Sequence, residues 1–189
     1  MTASTSSPTS APAPRLRLLC HAVRVAAILG ILLLLLPQLS LLTASDAERL
    51  AHWLQAAGLL PDTLVTMAPF TGWIAAMLLA LPLAVSVFGL WQLWKLFGAF
   101  ASGEALTTRA LHHLRRFALA ILAGAVLQPV ARAALSVVLT MGNPEGRRML
   151  LASFSSDSFF LILLGAVFLA ITIVMSDAVR AVDENRSFV

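Results

Sequence analysis

The chain is a succession of long apolar blocks separated by short polar segments. Between Arg24 and Asp46 lie 21 uncharged residues, dominated by the run Ile31–Leu36, and between Asp62 and Lys95 lie 32. A third block, Phe117–Met141, is interrupted only by Arg132, and a fourth, Ser158–Ser176, follows Asp157. A hydrocarbon core about 30 Å thick is crossed by roughly 20 apolar residues in a helix that rises about 1.5 Å per residue. The pattern therefore predicts four spans, at about residues 25–44, 64–94, 117–141 and 153–176. Leucine and alanine dominate the blocks, and no apolar/polar alternation occurs. Helices are expected rather than strands, because a helix satisfies its own backbone in lipid. The expected fold class is all-α: an integral membrane four-helix bundle, with residues 15–189 as one domain.

The polar segments add detail. Residues 1–14 are mainly Ser, Thr, Pro and Ala and read as a disordered leader. A cleaved signal peptide is the competing reading of the first block. About 24 residues precede that block, however, and it exceeds the usual h-region of about 7–15. Ser45 with Glu48 makes a capping box, and Ala47, Leu50, Ala51, Leu54 and Ala57 follow at helical spacing. A short amphipathic helix lying in the outer interface is expected there, ended by Gly58 and Pro61. Pro37, Pro82 and Pro129 fall inside spans one to three, where proline removes a backbone hydrogen bond. Trp91, Trp94 and Lys95 mark the inner interface. The second helix is expected to continue to Phe100, turn through Ala101–Glu104, and hand over to a helix capped by Thr107 or Thr108. Met141–Gly146 reads as a tight outer turn.

Composition narrows the function classes. Hydrophobic residues make up 59% of the 189 and charged residues 12%, against about 25% charged in an average soluble domain. A soluble enzyme and a disordered chain are excluded, and Cys20, the single cysteine, excludes a disulfide scaffold. With four spans, Arg15, Arg17, Arg24, Lys95, Arg109, Arg115, Arg116, Arg180 and Arg186 share one side, and only Arg49, Arg147 and Arg148 lie on the other. The excess of Lys and Arg on cytoplasmic loops then places both termini in the cytoplasm. The net charge of +4 is thus a topology signal. No loop is long enough for a basic nucleic-acid surface, so direct nucleic-acid binding is not expected.

Arg132 is the main candidate for intramembrane chemistry. An arginine within a span costs about 2.5–3.5 kcal/mol on insertion scales, so it is expected to face the bundle and find a partner. It lies roughly 13 Å below the outer end of its span, counted from Met141 at about 1.5 Å per residue. The same counting places Gln38, Thr71 and Asp157 in that layer, with Gln128 one turn deeper. One reading is an Arg132–Asp157 clamp that fixes helix register; the other is a site for a small anion or a proton relay. Cys20, His21, His112 and His113 are unsuited to a metal, because adjacent helical residues diverge by about 100° and recognised zinc spacings place ligands two or more residues apart. The histidines with the neighbouring arginines read instead as a basic strip facing anionic headgroups. No phosphate loop, HExxH, GxSxG or CxxC is present. No catalytic residue, cofactor or metal is therefore expected.

Three stretches carry a family resemblance: Leu96-Phe97-Gly98-Ala99-Phe100-Ala101-Ser102-Gly103-Glu104; Leu114-Arg115-Arg116 with Leu127-Gln128-Pro129; and Ala181-Val182-Asp183-Glu184-Asn185-Arg186-Ser187-Phe188-Val189. Together they resemble the bacterial domain-of-unknown-function family 2975, over nearly the whole chain after the leader. The resemblance implies a small four-span inner-membrane protein and a partner such as a helix-turn-helix regulator; it supplies no activity. The expected function is non-enzymatic: a sensing or accessory protein that engages a cytoplasmic protein. The expected surface comprises Gly103, Glu104, Arg109, Arg115 and Arg116 of the inner hairpin with Asp183, Glu184 and Asn185 of the tail. The alternative is a small transporter or channel subunit using the Arg132 layer.

Overall fold

A computed structural model of the chain describes residues 14–43, 71–103, 107–140 and 156–187. They form four helices: α1 (Pro14–Thr43), α2 (Thr71–Ala101), α3 (Thr108–Thr140) and α4 (Ser156–Ser187). Residues 1–13 of the leader, the interfacial helix expected at 45–58 and the outer turn at 141–146 lie outside the described residues. Each helix contains a stretch long and apolar enough to cross a membrane. The helices have 30, 31, 33 and 32 residues and so run about 45–50 Å, against about 30 Å of hydrocarbon. They outlast the apolar blocks because each added residue in an existing helix gains a hydrogen bond without a new nucleation cost. Pro14 opens α1, a position that needs no N–H donor and suits the fixed φ of proline.

Packing follows chain order: α1 lies on α2, α2 on α3, and α3 on α4. All three pairs are antiparallel. Arg24 stands beside Gly98 and Gly30 faces Leu90, while Gln38 reaches Ala76; Gly89 faces Ala120, and Gly165 faces Leu122. The start of α1, the α2–α3 turn and the end of α4 therefore share one end of the bundle, termed the hairpin end below.

The turn itself is built from local chemistry. Ser102 N–H donates to Gly98 O, and Gly103 N–H to Phe100 O, both at 3.2 Å. Gly103 has φ 82°, the left-handed conformation that ends many helices and that only glycine adopts without strain. Of the two threonines able to cap α3, Thr107 does so: Ala110 N–H donates to its Oγ1 at 3.3 Å.

The distribution of side chains inverts that of a soluble bundle. The buried positions are mostly small, including Ala75, Ala76, Ala99, Ala110, Ala118, Ala120 and Ala125, whereas Leu18, Leu33, Met77, Val130 and Val174 are among many large apolar residues turned outward. Water would penalise such a surface, while lipid does not. Without a hydrophobic force between helices, association rests on close van der Waals contact, which small residues permit. A methyl group on Gly165 would sit 2.8 Å from Leu122 Cγ, closer than packing allows. Gly165→Ala is expected to lower stability by about 1–3 kcal/mol. Gly124, with nothing within 4 Å of such a methyl, is the control, and Gly124→Ala is expected to be neutral or stabilising by up to about 1 kcal/mol. Thermal unfolding of the two variants in detergent checks the contrast.

Candidate functional sites

Among the described residues, polar side chains line the two cavities considered below. The first lies where α1, α2 and α3 meet within their apolar stretches, with a volume of about 260 Å³. Gln38, Gln128, Arg132 and Ser86 supply its polar lining; Leu33, Pro37, Pro82 and Leu83 are among the rest. Three of the five residues expected in an intramembrane polar layer are thus brought together. Thr71 is the first residue of α2, and its side chain lies outside the described set. Asp157 is exposed in the first turn of α4 and does not line the cavity. Its negative charge suits that position, because a helix N-terminus carries partial positive charge.

Pro37 and Pro82 line this cavity, and Pro129 is next to Gln128 of its lining. The helices α1, α2 and α3 each contain one of these prolines. Each removes the N–H that would bond the carbonyl one turn earlier, and its ring pushes the helix axis aside. Two polar side chains of this region donate to backbone carbonyls. Gln38 Nε2 donates to Ala76 O across the α1–α2 interface at 3.2 Å, and Ser86 Oγ donates to Pro82 O at 2.9 Å. Arg132 joins them half-buried, and no carboxylate among the described residues lines the cavity with it.

The second cavity, of about 270 Å³, lies at the hairpin end between α2 and α3. Gly98, Ala99 and Ser102 are its small residues; Trp94, Lys95, Arg109 and His113 are its large ones. Beneath it, Leu96, Ala99, Ala110 and Leu114 form a buried cluster packed on by Phe97, Phe100, Phe168 and Met175. Gln92, only 2% exposed, fixes one wall: His113 Nδ1–H donates to its Oε1 at 2.7 Å. On the α1 side, the Arg24 guanidinium stacks over the Trp94 ring, 4.3 Å from its centroid, and its buried Nε has no hydrogen-bond partner. The Lys95 ammonium lies 5.4 Å from the Trp91 ring centroid. Both distances are within the range of cation–π attraction.

The expected interaction surface divides in the structure. Gly103, Arg109, Arg115 and Arg116 lie exposed at the hairpin end, with Arg109 also reaching the cleft. Glu104 lies outside the described residues. Asp183, Glu184 and Asn185 are in the last turns of α4, and their side chains lie outside the described set. Sequence reasoning passed over Gln92 and Arg24 as site residues. The sequence signal for Gln92 is a lone amide in the otherwise apolar run before Lys95. Arg24 gives none, because its partner indole is about 70 residues away in the chain. Among the described residues, no three His, Cys, Asp or Glu side chains are grouped to hold a metal.

The separation of Arg132 from Asp157 has a measurable consequence. Arg132→Leu removes a charge from an apolar span and is expected to leave thermal stability unchanged or raised. Asp157→Ala is expected to cost about 0.3–1 kcal/mol through the helix terminus. In a double-mutant cycle the two effects are expected to add within about 0.5 kcal/mol; coupling of several times that size contradicts the separation.

No curated protein and no solved structure matches the chain. A family model does, over residues 25–187, from the start of the first apolar block to the end of α4. Helices α2, α3 and α4, the hairpin turn and α1 from residue 25 onward lie inside this match, and the chain belongs to the family described as Protein of unknown function (DUF2975).

Proposed function

We propose that the protein is a non-enzymatic sensing or accessory protein of a bacterial inner membrane, with both termini in the cytoplasm, whose hairpin end binds a cytoplasmic protein. One observation carries this reading: the hairpin end is packed and gathers charged side chains. The helices are about 15–20 Å longer than the membrane core is thick, and the cluster around Leu96, Ala99, Ala110 and Leu114 packs this end. Eight of the nine Lys and Arg residues with described side chains are at this end, Arg132 being the ninth. The positive-inside bias supports placing that end in the cytoplasm. Arg109, Arg115 and Arg116 face outward from it, and α4 brings Asp183, Glu184 and Asn185 to the same end. A helix-turn-helix regulator is the kind of partner proposed.

A second reading, a small transporter or channel subunit, is favoured by the cavity of Gln38, Gln128 and Arg132. An ionisable side chain in a polar intramembrane cavity is a common feature of solute pathways.

A pull-down from native membranes in mild detergent separates the two. The full chain is expected to retain a cytoplasmic protein that is lost on removal of residues 177–189 and on the triple change Arg109→Glu, Arg115→Glu and Arg116→Glu, with the truncated protein still folded. Retention of that protein by both variants, or its loss with Arg132→Leu alone, counts against the hairpin-end surface. Substrate-dependent stabilisation abolished by Arg132→Leu supports the second reading.

A further inference from the structure

The cleft at the hairpin end differs from an ordinary solvated basic face. Its floor is made of small residues, Gly98, Ala99 and Ser102, and its rim holds Lys95, Arg109 and His113 from two different helices. No carboxylate among the described residues lines it. Charges of one sign held together repel, and the arrangement is costly unless an anion completes it. The side chains are also held in place. The imidazole is anchored by the buried Gln92 amide. The Arg24 guanidinium is pinned on Trp94 and lies 3.9 Å from where a Gly98 methyl would project. Ser102 Oγ, which donates to Ala99 O at 2.9 Å, still has lone pairs to accept a hydrogen bond from a ligand hydroxyl.

From this arrangement we infer that the cleft binds a phosphate group, held by Lys95 and Arg109 with the Arg24 guanidinium, beside Gly98, as a further donor. Phosphate suits the set, because its several oxygens accept from ammonium and guanidinium donors at once. About nine water molecules at roughly 30 Å³ each would fill the same volume, so a headgroup fits and an acyl chain does not need to. The depth is appropriate for either of two sources. Trp91 and Trp94 stack on each other beside the cleft, with ring centroids 5.3 Å apart, and indoles favour the level of lipid headgroups. The cleft is equally open to a soluble phosphate ester from the aqueous side. This site shares Arg109 with the proposed partner surface but is tested without a partner.

The test uses the full chain in dodecyl maltoside, which carries no phosphate, and follows the thermal unfolding temperature. One arm adds phosphatidylglycerol and the other adds glycerol 3-phosphate. A saturable rise with phosphatidylglycerol alone identifies a lipid headgroup; a rise with glycerol 3-phosphate identifies a soluble phosphate ester. Lys95→Ala and Arg109→Ala are each expected to weaken the apparent affinity about fivefold, while Arg17→Ala, exposed on α1 at the same end, leaves it unchanged. Gly98→Leu keeps every charge but projects a side chain against the Arg24 guanidinium at the cleft, so it is expected to abolish the saturable rise. If Gly98→Leu fails to fold, the pair Lys95→Gln and Arg109→Gln decides in its place. The proposal is overturned if neither arm gives a saturable rise. It is also overturned if Gly98→Leu binds as the parent does, or if Arg17→Ala weakens binding as much as Lys95→Ala, since either result reports diffuse surface charge.

Discussion

Close approach between helices is the constraint on which this structure depends. In lipid, large aliphatic side chains gain nothing by turning inward, so the helices hold together only where their backbones come near enough for dispersion contacts to accumulate. Alanines along α2 and α3 and the bare backbone of Gly89 and Gly165 provide those places. The leucines, valines and isoleucines are left to face the membrane. Because α2 packs on both α1 and α3, and α3 on both α2 and α4, the two central helices set the register of the outer ones.

That register determines what the polar residues do. Glutamine, serine and arginine are rare in the apolar stretches, and each must find a partner or a cavity. The structure gathers several of them where proline-bearing helices meet. The hydroxyls of Ser136, Thr172 and Ser176 are satisfied more simply, by donating to carbonyls three or four residues earlier in their own helices.

The two cavities divide the molecule chemically. The one within the span holds a single cation among amides and apolar side chains, in a medium where a charge has long reach. The cleft at the hairpin end holds two cations, Lys95 and Arg109, beside an imidazole held by a buried amide. Between the two, α2 and α3 run continuously.

Much of this was legible in the residues alone. Block lengths specify four spans, because the thickness of the hydrocarbon sets the number of residues needed to cross it, and the glycine and threonine around the turn specify where α2 stops and α3 starts. Those signals are local, acting within a few residues of backbone. Counting residues from the span ends also placed Gln38, Gln128 and Arg132 at similar depth. Depth is one coordinate, however, and the direction each side chain takes around its helix is the other. Asp157 shares the depth and is turned elsewhere, to the N-terminus of its own helix. Gln92 with His113, and Arg24 with Trp94, became partners only through the rotation and spacing of packed helices. Which residues lie in the membrane was determined by the sequence, through length and hydropathy; which of them meet was decided by the tertiary structure, because helix rotation depends on contacts between small residues far apart in the chain.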